Sequence, residues 1–205
     1  MHVRGYIHRD IKPKNILISN TDIKTSIYLI DFGLAASYHT STGAYIPYAR
    51  HSALMGTARF LSINGHKGIE QTRRDDLKSL AYVLIYLLRG RLPWQDLTAR
   101  SAKAKYRLIM EMKMATKNTL CSGLPPVFQT FLHYSLSLAF NATPDYQYLH
   151  TLFRDALDNS GHVGDAIFDW RRDGHMSCLY VSLSHRAPVD CTGSSWMSVF
   201  SSLSG

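Results

Sequence analysis

The chain has 205 residues, 45% of them hydrophobic, and a formal net charge of +8. That suits one globular domain with a real core, or one lobe of a larger one. Cys121, Cys178 and Cys191 are far apart and form no CxxC pair, which argues against a disulfide framework or a thiolate zinc site and for a reduced, intracellular compartment, cytoplasmic or nuclear.

In chain order, two short β-like runs come first, Ile16 to Ile18 and Ile27 to Ile30. Polar "SNTDIKTS" lies between them, so a small hairpin is expected. From Phe32 to Leu61 the chain is rich in Gly, Ser, Thr, Tyr and His and has little periodicity, which reads as one long ordered loop. The pattern then turns helical. Asp75 to Arg89 reads as a helix stopped by Gly90, with Pro93 beyond it. It contains the longest apolar run, Leu80 to Leu88, far short of the ~20 residues of a membrane span and suited to the centre of a soluble core. Ala99 to Lys113 reads as a second helix. "PPVFQTFLHYSLSLAF" reads as a third, opened by its prolines. "PDYQYLHTLFRDALDNSG" has Pro at its start and Gly at its end, a frame for a fourth. From Ser177 the chain is Ser-rich without a sustained period, so residues 171–205 are expected to form a poorly ordered tail.

The chemistry is concentrated at the front. "HRDIKPKN" starts at His8, and "DFG" follows at Asp31. The ordered pair is similar to the protein-kinase signature set. Phosphoryl transfer depends mainly on positioning and charge neutralisation. A carboxylate must accept the proton of the substrate hydroxyl, a role for Asp10. A cation beside it, Lys12, can steady the transferring phosphoryl group and bind the nucleotide. Oxygen ligands must hold Mg2+ against the phosphates of ATP, roles for Asn15 and Asp31. Gly33 is expected to let the backbone after Asp31 take an unusual conformation. Arg9 is suited to hold an anionic group. His8 is expected to be structural, and the remaining histidines show no metal-ligand spacing.

Further along, "IPYARHSALMGTARFLSINGHKGIEQTRRDDLKSLAYVLIYLLRGRLPWQDL", "TPDYQYLHTLF" and "FDW" at Phe168 narrow the resemblance to the casein kinase 1 family. "SIN" at Ser62 stands where most kinases have "APE". The likeness covers roughly residues 3 to 170. It implies a mainly α (α+β) fold, the C-terminal lobe of a protein kinase with a small β-hairpin near the N-terminus, over residues 1–170. It implies ATP- and Mg2+-dependent transfer to Ser or Thr of acidic or phosphorylated protein substrates. Thr57 becomes the threonine that contacts the catalytic aspartate and lysine, and Asp76 the carboxylate that holds the catalytic loop's backbone. Arg59 and Lys105 match one substrate-anion pocket, and Arg9 belongs to a second.

The sequence also departs from that family. Asp96 replaces a glycine beside the first pocket, and Ala36 and Ser52 stand at lysine positions of the second. Weaker preference for phospho-primed substrates is therefore expected. Lys14 replaces an aspartate that binds no metal, and Ala81 replaces a helix glycine. Neither a Gly-rich loop nor the strand lysine of an intact kinase is present. The chain is expected to be a large lobe whose small lobe lies upstream or is absent, with weak or no transfer by itself. A non-catalytic binding or decoy fragment is the alternative. A basic helix bearing Arg100, Lys103, Lys105 and Arg107 raises nucleic-acid binding, but no recognised nucleic-acid fold accompanies it, and neither that partner nor a membrane is expected.

Overall fold

The computed structural model describes residues 1–20, 25–51 and 53–160. The expected tail, "FDW" at Phe168 and Ser52 lie outside the described residues.

The hairpin forms as expected: β2 (Ile16–Asn20) pairs antiparallel with β3 (Thr25–Leu29), Ile16 opposite Leu29. A second two-stranded sheet joins β1 (Tyr6–Ile7) to β4 (Ala36–Ser37). The stretch expected as one long loop thus contains a strand, an isolated bridge between His39 and Tyr45, and a 3-10 turn at Phe32–Leu34. A two-residue strand is too short to leave an alternating pattern in sequence.

Five helices are described: α1 (Ile63–His66), α2 (Arg73–Arg89), α3 (Ala102–Thr116), α4 (Pro126–Ser137) and α5 (Tyr146–Asp158). The single turn of α1 is opened by Ser62, whose hydroxyl accepts from the Gly65 N–H at 2.9 Å and donates to Asp75 at 2.7 Å. At the start of α2, Asp75 reaches back to the Thr72 N–H at 2.9 Å, and Gly90 ends the helix. Helix α3 starts three residues later than expected because Ser101 caps it, accepting from the Ala104 N–H at 3.2 Å. Helix α4 is shorter than its apolar run: Leu138 turns extended, and the Phe140 carbonyl accepts from Thr72 Oγ1 at 2.8 Å and Tyr45 Oη at 3.0 Å. These bonds fix the chain after α4 to the start of α2. Asp145 caps α5 through the Tyr148 N–H at 2.8 Å.

Helix α2 is buried on nearly every side, as its continuous apolar run requires, and packs chiefly on α4. Val83, Leu92 and Trp94 are fully enclosed, and Ile109, Phe128, Phe131 and Leu132 complete the core. The methyl of Ala81 lies inside this core. No helix of the described residues is long and apolar enough to cross a membrane. The architecture is helix-rich with two small antiparallel sheets, and both sheets lie at the end of the chain that carries the catalytic motif.

Candidate functional site

Residues 8–15 run between β1 and β2 and make a loop whose backbone is held from beneath by α2. Asp76, in the first turn of α2, accepts from the His8 N–H at 2.7 Å and the Arg9 N–H at 2.9 Å. Arg9 has φ 66, a left-handed conformation costly for a side chain with a Cβ, so these bonds hold a strained turn in place. His8 is fully buried, and its Nε2 lies 3.0 Å from the Ile30 carbonyl. That contact ties the loop to the residue just before Asp31.

Asp10 is the centre of the site. Its Oδ1 accepts from Thr57 twice, from the N–H at 2.8 Å and from Oγ1 at 2.7 Å. Its Oδ2 accepts from Lys12 Nζ at 2.5 Å. Burial pushes the carboxyl's pKa up, but Lys12 and the Thr57 bonds outweigh it and hold it below the usual carboxylate value. The group is therefore an anion at neutral pH. Asn15 is buried, and its Nδ2 donates to the Asp10 carbonyl at 3.0 Å, which directs the amide oxygen away from that bond.

Asp31 is exposed and itself takes the left-handed conformation, φ 62. This corrects the expectation for Gly33, whose φ is not positive. The glycine's contribution is space, because a Cβ there would stand 3.3 Å from Asp31 Oδ1, which already accepts from the Gly33 N–H at 3.4 Å. Gly56 has a stricter role. It has φ +108, and a Cβ would stand 2.6 Å from the Arg9 carbonyl. Only glycine lets the segment carrying Thr57 approach the catalytic loop this closely.

The structure thus brings Asp10, Lys12, Asn15 and Thr57 together. In the hydrogen bonds of the described residues Thr57 reaches Lys12 only through Asp10. The anion-pocket residues are not gathered in the same way. Arg9 donates through Nε to the Leu34 carbonyl at 2.6 Å and lies 3.8 Å from Glu70, so its charge has an acidic partner within the chain. His51 pairs with the same Glu70. Arg59 is half-buried over the rings of Phe60 and Tyr86, at 6.0 and 5.8 Å. Lys105 is exposed on α3. Asp96 is ion-paired with Arg91 at 2.8 Å, and Lys14 is exposed. An open depression of roughly 480 Å3 runs along α5, lined by Tyr146, Gln147, His150, Thr151 and Arg154, and no catalytic-loop residue lines it.

Two residues of this neighbourhood leave no signal in sequence. His2 Nε2 lies 2.8 Å from Asp76 Oδ2 while its Nδ1 lies 2.6 Å from Tyr146 Oη, linking the catalytic-loop support to α5. Lys113, on α3, reaches the carbonyls of Ala58 and Leu61, just past Thr57. The sequence model of the protein kinase domain matches residues 1–143, a span that holds every site residue expected from the sequence.

Proposed function

The chain belongs to the protein kinase domain family, and from that premise we propose that it is a serine/threonine kinase of the casein kinase 1 type that moves the γ-phosphoryl of ATP to protein hydroxyls. Domains of this family act on protein substrates by phosphoryl transfer. One observation carries the proposal: the Asp10 carboxylate is buried, ionised and aimed by two bonds from Thr57, with Lys12 beside it. Asp10 would take the proton of the attacking hydroxyl, and Thr57 orients it. Lys12 would offset negative charge on the phosphoryl group.

The donor set also fits Mg2+. Asn15 and Asp31 offer hard oxygen donors, and Mg2+ near phosphates usually takes only one or two protein ligands. Among the described residues no group of three or more His, Cys, Asp or Glu could hold a metal by itself. Asn15 and Asp31 would hold Mg2+ together with nucleotide oxygens, and the ion would neutralise phosphate charge. The casein kinase 1 assignment rests on "SIN" and the segment around it. Ser62 is bonded to Asp75 at the start of α2, which suits a motif whose work is to anchor this segment. Cytoplasmic or nuclear localisation goes with this reading.

A second reading, binding without catalysis, is favoured by the exposure of Val3, Tyr6, Tyr28 and Phe32, apolar side chains on elements that flank the catalytic loop. The deciding experiment is labelled-phosphate transfer from Mg·ATP to an acidic Ser/Thr protein substrate, comparing wild type with Asp10→Asn. The kinase reading expects slow transfer that falls ~10²–10⁴-fold in the variant. Equal label in both proteins, or none in either, would leave the binding reading in its place.

A further inference from the structure

Thr57 opens a tight turn. The N–H groups of Phe60 and Leu61 both donate to the Thr57 carbonyl at 2.9 Å. The turn does not continue as a helix, so its later carbonyls need donor partners from elsewhere. Three of them find donors in the core. Trp94 Nε1 donates to the Arg59 carbonyl at 2.8 Å. Lys113 Nζ donates to Ala58 at 3.0 Å and to Leu61 at 2.5 Å.

Lys113 is a costly choice for this task. It is 1% exposed, and no carboxylate of the described residues lies within ion-pair distance of it. The surroundings are instead the ring faces of Tyr82 at 4.7 Å and Trp94 at 5.1 Å, with His66 Nε2 at 3.3 Å. Burial lowers the lysine's pKa well below its ordinary value. Carbonyl dipoles and π faces can hold a desolvated ammonium, but a methionine of similar length would fill the same space without the desolvation penalty. What the ammonium adds is directional: it holds two carbonyls of one turn at fixed positions.

We infer that Lys113 is a positioning residue for phosphoryl transfer: its caged amino group fixes the turn from Thr57 to Leu61 and, through Thr57, the orientation of Asp10. The same turn carries Arg59, so the peptide side of the site is held by the same bonds. The inference rests on the kinase reading for its catalytic half and on geometry alone for its structural half.

The test uses the full chain and three variants. Lys113→Met removes the charge and keeps the volume. Lys113→Gln, a shorter uncharged donor, serves if the methionine variant does not fold. Ile109→Ala, at a buried position of the same helix, reports generic loosening of α3. Amide hydrogen exchange at Phe60 and Leu61 should accelerate at least about tenfold in the lysine variants, with α2 and α4 amides unchanged, since the two buried hydrogen bonds from Lys113 are weakened or lost. Asp10-dependent transfer should fall by a similar factor in kcat, with KM for ATP unchanged. Ile109→Ala should lower stability without either effect. Unchanged exchange in the lysine variants, or equal exchange and kcat losses in Ile109→Ala, would overturn the inference. If wild type shows no Asp10-dependent transfer, the kinase reading and the catalytic half fall together, and the exchange data still decide whether Lys113 fixes the turn.

Discussion

The turn from Thr57 to Leu61 is held by charged groups at both ends, and the two ends are built in opposite ways. At the Thr57 end the charges are paired: Asp10 has Lys12 beside it, and the lysine side chain keeps 21% of its surface in solvent. At the Leu61 end a single lysine amino group is enclosed, with carbonyls and rings for company. A paired, partly solvated cation can exchange partners at modest cost, which suits the phosphoryl-binding role proposed for Lys12. A buried, unpaired one has no alternative partner, which suits a fixed point. On the kinase reading, the difference separates the part of the site that would react from the part that would keep it still.

The largest effect is expected at Gly56. Alanine there would combine a φ of +108 with a Cβ 2.6 Å from the Arg9 carbonyl, so the segment must withdraw from the catalytic loop. Gly56→Ala is expected to cost about 3 kcal/mol or more, from backbone strain and the lost Thr57 bonds together. Urea unfolding measures the first effect. Loss of phosphoryl transfer beyond what reduced folding explains measures the second. A variant of wild-type stability would mean that the close approach is not part of the folded state.

Acid should sharpen the contrast between the two ends. At the enclosed end, burial and the nearby Lys113 charge push the His66 pKa down to about 3. The unfolded chain takes up its proton near 6.5, and the folded chain resists until about 3. Unfolding therefore binds a proton throughout this window. The contribution of neutral His66 is complete above 6.5 and is lost as pH falls toward 3, at up to about 1.4 kcal/mol per pH unit. Asp10, whose pKa is lowered in the folded protein, adds its own loss only below the ordinary carboxylate value of 3.8. Denaturant midpoints between pH 7 and 4.5 should fall less steeply in His66→Gln than in wild type. Parallel curves would mean that His66 can be protonated in place.

The same contrast decides which features the amino-acid sequence reveals. The grouping of Asp10, Lys12 and Asn15 was legible because the three lie within one short stretch of a recognisable motif. Helix α2 was legible because burial on all sides writes a continuous apolar run. The β1–β4 sheet and the single turn of α1 were not, since two to four residues cannot carry a period. Lys113 was hidden for a different reason. It lies in a helix whose other cations, Lys103, Lys105 and Arg107, are exposed, and Arg107 pairs with Glu111 in the ordinary i,i+4 way. One-dimensional charge patterning cannot tell the single cation that turns inward to meet carbonyls 52 and 55 positions earlier.

The smallest expected effect lies at the surface, where neither kind of end applies. Arg91 and Asp96 form an ion pair with about 70% of each side chain exposed, 72% and 70%. Removing such a pair changes stability by no more than about 1 kcal/mol. Its interest is in selectivity. On the casein kinase 1 reading Asp96 stands beside the pocket that Arg59 and Lys105 offer to a substrate anion, and its charge opposes a phosphate there. Asp96→Gly should leave the denaturant midpoint almost unmoved and raise the kcat/KM ratio of phospho-primed to unprimed peptide by about two- to fivefold, the size of one screened surface interaction. Arg91→Ala, which strips Asp96 of its counter-charge, should move the ratio the other way. If both variants leave the ratio where it is, the Asp96 carboxylate does not act on the phosphate of a primed substrate, and the weaker preference expected from this position has no electrostatic basis.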